Sequence, residues 1–297
     1  MRAIISGASG LIGEALAARL RGEGFDVLRL VRRAPAHPDE AFWDPAAGEV
    51  DRTALEGADA VVHLAGAGIG DRPWTESYRR EIRDSRIGGT RLLAEALAGL
   101  DSPPPVLVSG SAIGFYGDTG AAEATESAPR GTGFLADLVA DWEAAAAPAA
   151  AAGIRVVHPR TGIVLSRRGG ILGKTLPLFR AGAGGRLGDG RQWMSWITLR
   201  DEVAALGHLI ASDLSGPVNL TAPSPVTNAG YTRELARVLR RPAVLPVPAP
   251  LLKLVLRGFA AEGPLISQRV LPARLLESGF AFADPDLPAA LRAVLGR

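Results

Sequence analysis

Ile4-Ile5-Ser6-Gly7-Ala8-Ser9-Gly10-Leu11-Ile12-Gly13 is the stretch on which the reading of the whole chain turns. An apolar run ends at a glycine and two further glycines follow at three-residue intervals. Leu11, Leu16 and Leu20 then share one side of a helical register. Strand, tight turn and helix N-terminus in this order make a phosphate-binding turn. Gly7 permits the sharp turn, Gly10 lets the backbone approach a pyrophosphate, and Gly13 lets the helix pack against the strand. The first helical N–H groups, those of Leu11 and Ile12 among them, meet the anion together with the positive end of the helix dipole. A glycine triplet alone is a weak signal, and its place between a strand and a helix is what points to a dinucleotide. The bland alternative is a tight βα turn that binds nothing.

Composition narrows the classes. The 297 residues are 47% hydrophobic and 22% charged, which suits one large domain or a nucleotide domain with a smaller companion. The absence of cysteine excludes disulfides, thiolate metal ligands and a cysteine nucleophile together, and a cytoplasmic location is expected. No metal site is expected. No apolar run approaches the roughly 20 residues that span a membrane, and with a core strand expected from the first residues no signal peptide is expected. The formal charge is +2, and no basic cluster alternates with aromatics, so neither nucleic acid nor a membrane is expected as partner. Lys174 and Lys253 are the only lysines.

Beyond the first helix, residues 26–31 form a second strand ending at Arg32 and Arg33. An acidic residue about 20 positions after the glycines holds the ribose of NAD, whereas arginine there suits the 2′-phosphate of NADP. The cofactor is therefore read as NADP; the alternative is a strand end that is basic only because it faces solvent. Residues 58–63 form another strand, continue through Leu64 and run into Ala65, Gly66, Ala67 and Gly68, small residues that make room at the ligand-binding edge of a parallel sheet. His63 reads as a satisfied core histidine. A crossover helix over 78–100, a strand over 105–109 ending in Ser109-Gly110-Ser111, an Ala-rich helix over 137–152 and a strand over 154–165 follow. Strands alternating with helices imply an α/β fold: a Rossmann-like, doubly wound parallel sheet, with a smaller C-terminal substrate or cap region. The expected division is an NADP-binding domain over 1–220 and a C-terminal domain over 221–297. In the glycine-rich segment 166–195, Lys174, Arg180, Arg186 and Arg191 read as solvated charges or as groups facing an anionic substrate. The apolar residues Trp193, Met194 and Trp196 suit a pocket wall or ordinary core. The amphipathic stretch 251–259 is expected to pack on its own domain.

The glycine turn, His63-Leu64-Ala65-Gly66, residues 109–117 and Pro159-Arg160-Thr161-Gly162-Ile163-Val164 together resemble the extended short-chain dehydrogenase/reductase superfamily. Trp74-Thr75-Glu76, Glu81-Ile82-Arg83-Asp84-Ser85-Arg86, Asp141-Trp142-Glu143, Gly188-Asp189-Gly190-Arg191-Gln192 and Asn219-Leu220-Thr221-Ala222-Pro223 make the chain similar to its atypical branch of epimerase family proteins, which carry a short C-terminal domain of unknown function. The resemblance implies a nicotinamide cofactor held by the glycine turn, Arg32, Leu64, Ala65, Glu81, Arg86 and Val164, and a substrate lid to which 166–195 contributes, as in the sugar-modifying relatives.

The superfamily's Tyr-x-x-x-Lys pair is missing. The tyrosines are Tyr78, Tyr116 and Tyr231, and none has a lysine four residues on; Phe134 and Leu138 stand where the pair belongs. Ser111 takes the place of the active-site serine and Tyr116 follows, with no base evident beside either. They read as catalytic hydroxyls or as a strand-end cap and a packed ring. Two functions fit: an NADP(H)-dependent oxidoreductase or epimerase acting on a small molecule, or a non-catalytic NADP(H)-binding sensor.

Overall fold

The computed structural model describes residues 1–297 and divides into two compact units, each built from separated segments. Met1–Ser111, Leu138–Pro159 and Val203–Val218 form the first; Ala112–Asp137, Arg160–Glu202 and Asn219–Arg297 form the second. Segments 112–137 and 160–202 thus group with the C-terminal residues, and the division is not one cut along the chain.

The main run of the nine-stranded sheet is β1 (Arg2–Ser6), β2 (Asp26–Val31), β3 (Glu40–Asp44), β4 (Glu49–Val50), β5 (Ala60–His63), β6 (Val106–Ser109), β7 (Arg155–Thr161) and β8 (Gly216–Leu220), and the short strand Ser111–Ala112 pairs with β7 off that run. Their order is β8-β7-β6-β5-β1-β2-β3-β4. β1 runs parallel to both neighbours, with Ile4 opposite Leu28 on one side and Val61 on the other. The chain winds outward from β1 through β2 and β3, then crosses to β5, β6 and β7. That reversal creates a switch point beyond the ends of β1 and β5. Ala3, Ile4, Ile5, Val61 and Val62 are fully buried, because helices cover both faces of a parallel sheet and leave no solvated side for polar alternation.

Helices α1 (Leu11–Gly22), α2 (Glu76–Ala98) and α3 (Phe134–Ala144) follow β1, β5 and β6. α2 starts two residues before the expected 78 because Thr75 accepts from the Tyr78 N–H and caps it there. The single helix expected over 137–152 is two, Phe134–Ala144 and Ala147–Ala151. Pro148 is the cause, since proline suits the first turn of a new helix and clashes inside an old one.

In the second unit, strand Ile163–Leu165 pairs with Trp196–Thr198, and α4 (Gly170–Arg180), α5 (Asn228–Leu239) and α7 (Leu287–Leu295) close around them, with α6 (Ala249–Leu256) between α5 and α7 in sequence. Leu165, Leu172, Trp196, Leu235 and Leu291 form its core. Met194 and Trp196 belong to that core rather than to a pocket wall. α6 has no fully buried residue: Leu251, Leu254 and Val255 face outward, while Leu252 and Leu256 are half-buried and the helix packs against the short helix Phe259–Glu262 of its own unit, as the sequence led one to expect. No helix is long and apolar enough to cross a membrane.

Candidate functional site

The first unit builds a cradle at the C-terminal ends of β1, β5 and β6. The Gly10 N–H donates to the Gly7 carbonyl at 3.0 Å and closes the turn. Gly7 has φ +71°, and a Cβ there would lie 2.7 Å from the Leu64 carbonyl carbon; a Cβ on Gly13 would overlap the Gly7 carbonyl oxygen. Both positions therefore require glycine, one for its backbone angle and both for close approach. Gly10 caps α1 without any side-chain bond, which leaves the Leu11 and Ile12 N–H groups to whatever lies beyond the turn.

Ser6 ties the strand ends together. Its hydroxyl accepts from the Leu64 N–H at 3.2 Å and bonds His63 Nδ1 at 2.6 Å. Burial, and secondarily Arg86, pull the fully buried His63 down to about 4, so its imidazole is neutral at pH 7. The histidine is satisfied at Nδ1 only, because its Nε2 lies buried without a partner, edge-on to Trp43.

Arg86 lies beneath the Leu64, Ala65 and Gly66 segment, 8% exposed. It donates to the carbonyls of Ala67 at 2.9 Å and Ile82 at 3.2 Å, and stands 5.1 Å from the Trp142 ring. Burial draws it down to about 10, which still leaves it charged at pH 7. A buried cation held by carbonyls and a ring face, with Nε unpartnered, is chemistry suited to an anionic ligand. Glu81 is exposed, its carboxylate 3.6 Å from Arg72.

At the end of β2 the two arginines separate. Arg33 forks onto Glu40 at 2.6 and 2.8 Å, and this bond, more than any other cause, draws the Glu40 carboxyl down to about 2. Asp39 is taken by Arg21 at 2.7 Å and Arg29 at 3.1 Å. Arg33 thus folds the loop back, both nearby acids are neutralised, and Arg32 is left exposed without an acidic partner.

Ser111 does have a carboxylate beside it, which corrects the sequence reading. Its Oγ donates to Glu143 Oε1 at 2.6 Å. The preceding residue explains the placement: Trp142 is buried, its Nε1 donates to Thr90 Oγ1 at 2.9 Å, and its ring fills the space at Gly110. Anchoring Trp142 on one side of α3 turns Glu143 toward Ser111. The Asp141-Trp142-Glu143 motif contained the signal, but the pairing over 32 positions did not show in it. Leu138, at the superfamily's lysine position, is buried and apolar.

Tyr116 and Val164 belong to the second unit. Tyr116 is 3% exposed; its hydroxyl donates to Asn219 Oδ1 at 2.7 Å and accepts from Arg160 at 3.0 Å. Burial raises its phenol above the ordinary value. That is the geometry of a packed ring with a satisfied hydroxyl, and it offers no free proton to a ligand. Val164 is half-buried and pairs with Ile197.

Residues 3–220 match the profile of the NAD dependent epimerase/dehydratase family, and residues 247–294 match a domain of unknown function, DUF1731. The chain is 49% identical over 288 residues to an epimerase family protein of Mycobacterium bovis, covering 97% of this chain and 95% of that one. It is 36% identical over 299 residues to the human epimerase family protein SDR39U1, at 99% and 100% coverage. In structure it is similar to human SDR39U1 isoform 2 crystallised with NADPH, with a TM-score of 0.90, 34% identity and full coverage of both chains. A nucleoside-diphosphate sugar epimerase from Corynebacterium glutamicum gives a TM-score of 0.83 and 38% identity, over 100% of this chain and 58% of that one.

Proposed function

The chain belongs to the NAD dependent epimerase/dehydratase family, and from that premise we propose that it is an NADP(H)-binding oxidoreductase or epimerase-like enzyme acting on a small polar alcohol or carbonyl compound. The cysteine-free composition supports a cytoplasmic setting. The residues fit the dinucleotide. The Gly7, Gly10 and Gly13 turn, with the N–H groups of Leu11 and Ile12, receives the pyrophosphate; Leu64, Ala65 and Gly66 give it backbone at close range; Arg86 contributes buried positive charge; and Arg32 takes the 2′-phosphate. Glu81 and Val164 remain in the proposed set by family resemblance, and Arg33 stays as the brace of Glu40. NADP(H), when bound, supplies or accepts hydride.

The observation that carries the catalytic half is the 2.6 Å bond from Ser111 to Glu143. Ser111 Oγ takes the proton of a substrate alcohol as its own passes to the Glu143 carboxylate, and the same two transfers run backward when a carbonyl is reduced. A carboxylate reached through one hydroxyl does the proton work of the missing Tyr-x-x-x-Lys pair. The second reading, a non-catalytic NADP(H) sensor, is favoured by Leu138 and Phe134, which offer no transferable proton, and by the engagement of the Tyr116 hydroxyl. Calorimetric titration with NADPH and NADH, joined to fluorescence of bound NADPH on addition of carbonyl compounds, separates the two. NADPH-selective binding with consumption supports the enzyme, the same binding without consumption favours the sensor, and no binding of either nucleotide overturns both.

A further inference from the structure

The second unit holds a concentration of cations that the dinucleotide reading does not use. α4, α5 and α7 pack through Leu176 and Phe179, Leu235 and Leu239, and Leu291 and Leu295, all in one buried cluster. That packing draws three helix C-termini together, and each carries arginine. Arg180 ends α4, Arg237 lies in the last turn of α5 with Arg240 as its cap and Arg241 next, and Arg292 and Arg297 lie at the end of α7. These six line two open cavities of about 440 and 400 Å³ that share Arg240 and Arg297.

Helix ends account for part of this charge. Each C-terminus presents roughly half a negative elementary charge, so three of them answer about one and a half positive charges. Arg237 is paired with Glu234 at 2.6 Å, while Arg180, Arg240, Arg241, Arg292 and Arg297 have no carboxylate within ion-pair distance. The positive charge exceeds what the helix ends require. Arg240 sits at φ +53°, the left-handed position that glycine or asparagine commonly fills at a helix end, and as arginine it faces both cavities.

The lining selects the ligand. Apart from arginine it contains only Val238 and Leu239, with no aromatic face for a base and no acidic side chain for a cation. Guanidinium forks match phosphate oxygens two at a time, and two adjoining cavities suit several linked phosphates better than one. We infer that this basin binds a short oligophosphate, either free or as the triphosphate of a nucleotide whose base it does not touch. The inference goes beyond the dinucleotide reading and does not depend on it.

The test is titration calorimetry of the full chain with sodium tripolyphosphate, ATP and orthophosphate at matched ionic strength. Tripolyphosphate and ATP should bind one site with similar affinity, at least about tenfold more tightly than orthophosphate. The exposed double variants Arg240→Asn with Arg241→Gln, and Arg292→Gln with Arg297→Gln, should each weaken tripolyphosphate by about tenfold or more while leaving the melting temperature and the NADPH titration unchanged. No binding by the unmodified chain, or wild-type affinity in both double variants, overturns the basin. So does orthophosphate binding as tightly as tripolyphosphate, since that reflects general attraction. ATP binding much more tightly than tripolyphosphate would show base recognition and overturn the assignment. Tripolyphosphate binding lost under saturating NADPH would place it in the glycine turn, so a failure of this inference is distinguishable from a failure of the dinucleotide one.

Discussion

In the first unit a single guanidinium, Arg86, lies 8% exposed beneath the glycine strand ends, oriented by two carbonyls and a tryptophan face. In the second unit five arginines without acidic partners stand exposed around two open cavities. A buried charge loses its hydration and needs fixed partners, but it then acts at one place and is poorly screened by salt. Exposed charges cost little each and act through their number. The two regions also differ in assembly. The cradle grows from turns whose geometry is set within a few residues, while the basin exists only because helices ending near residues 180, 240 and 296 pack on one core.

The largest expected effect breaks the first region and spares the second. Gly13→Val drives a branched side chain into the Gly7 carbonyl and should weaken NADPH by roughly a hundredfold or more, with tripolyphosphate affinity unchanged. NADPH affinity within about threefold of wild type in calorimetry would mean that the turn does not set the site. Next is Glu143→Gln, which should lower kcat by about a hundredfold with NADPH affinity unchanged. If the variant turns over a responsive substrate at the wild-type rate, the proton route lies elsewhere. Arg32→Ala should weaken NADPH by about tenfold and leave NADH alone, the loss of one charge-assisted phosphate contact. Equal losses for both nucleotides would return Arg32 to the class of exposed charges seen in the basin.

The smallest effect sharpens the contrast through pH. Glu202 is fully buried; burial pushes its carboxyl up to about 8, and a 2.7 Å bond from Thr161 offsets this only in part. The native state therefore keeps a proton that the unfolded chain releases near 4.5. Its contribution is fully present below pH 4.5 and is lost as pH rises through about 8. The melting temperature should fall by roughly a few degrees across that window, and Glu202→Gln should flatten the slope, measured by calorimetric scans. Arginines do not titrate there, so a slope that persists in Glu202→Gln and vanishes in the basin variants would reverse the assignment.

Sequence reading succeeded where chemistry is local and faltered where partners are distant. The apolar run before Gly7 and the helical register after Gly13 revealed β1 and α1, because a strand, a turn and a helix constrain one another at short range. Arg32 and Arg33 looked alike along the chain, and the fork from Arg33 to Glu40 distinguished them. Tyr116 carried the right functional group, but its hydroxyl is engaged by Arg160 and Asn219, which lie 44 and 103 positions away.

By itself the sequence determined a parallel α/β sheet, a glycine turn at its switch point, a basic end to β2 and the absence of a Tyr-x-x-x-Lys pair, since each follows from residue type and short spacing. Only the tertiary structure decided that Glu143 accepts from Ser111, that Arg33 is held by Glu40, that α6 exposes Leu251, Leu254 and Val255 and that six arginines share two cavities. The physical reason is that side-chain partnership depends on which helix faces packing brings together, and packing joins residues that periodicity along the chain cannot relate.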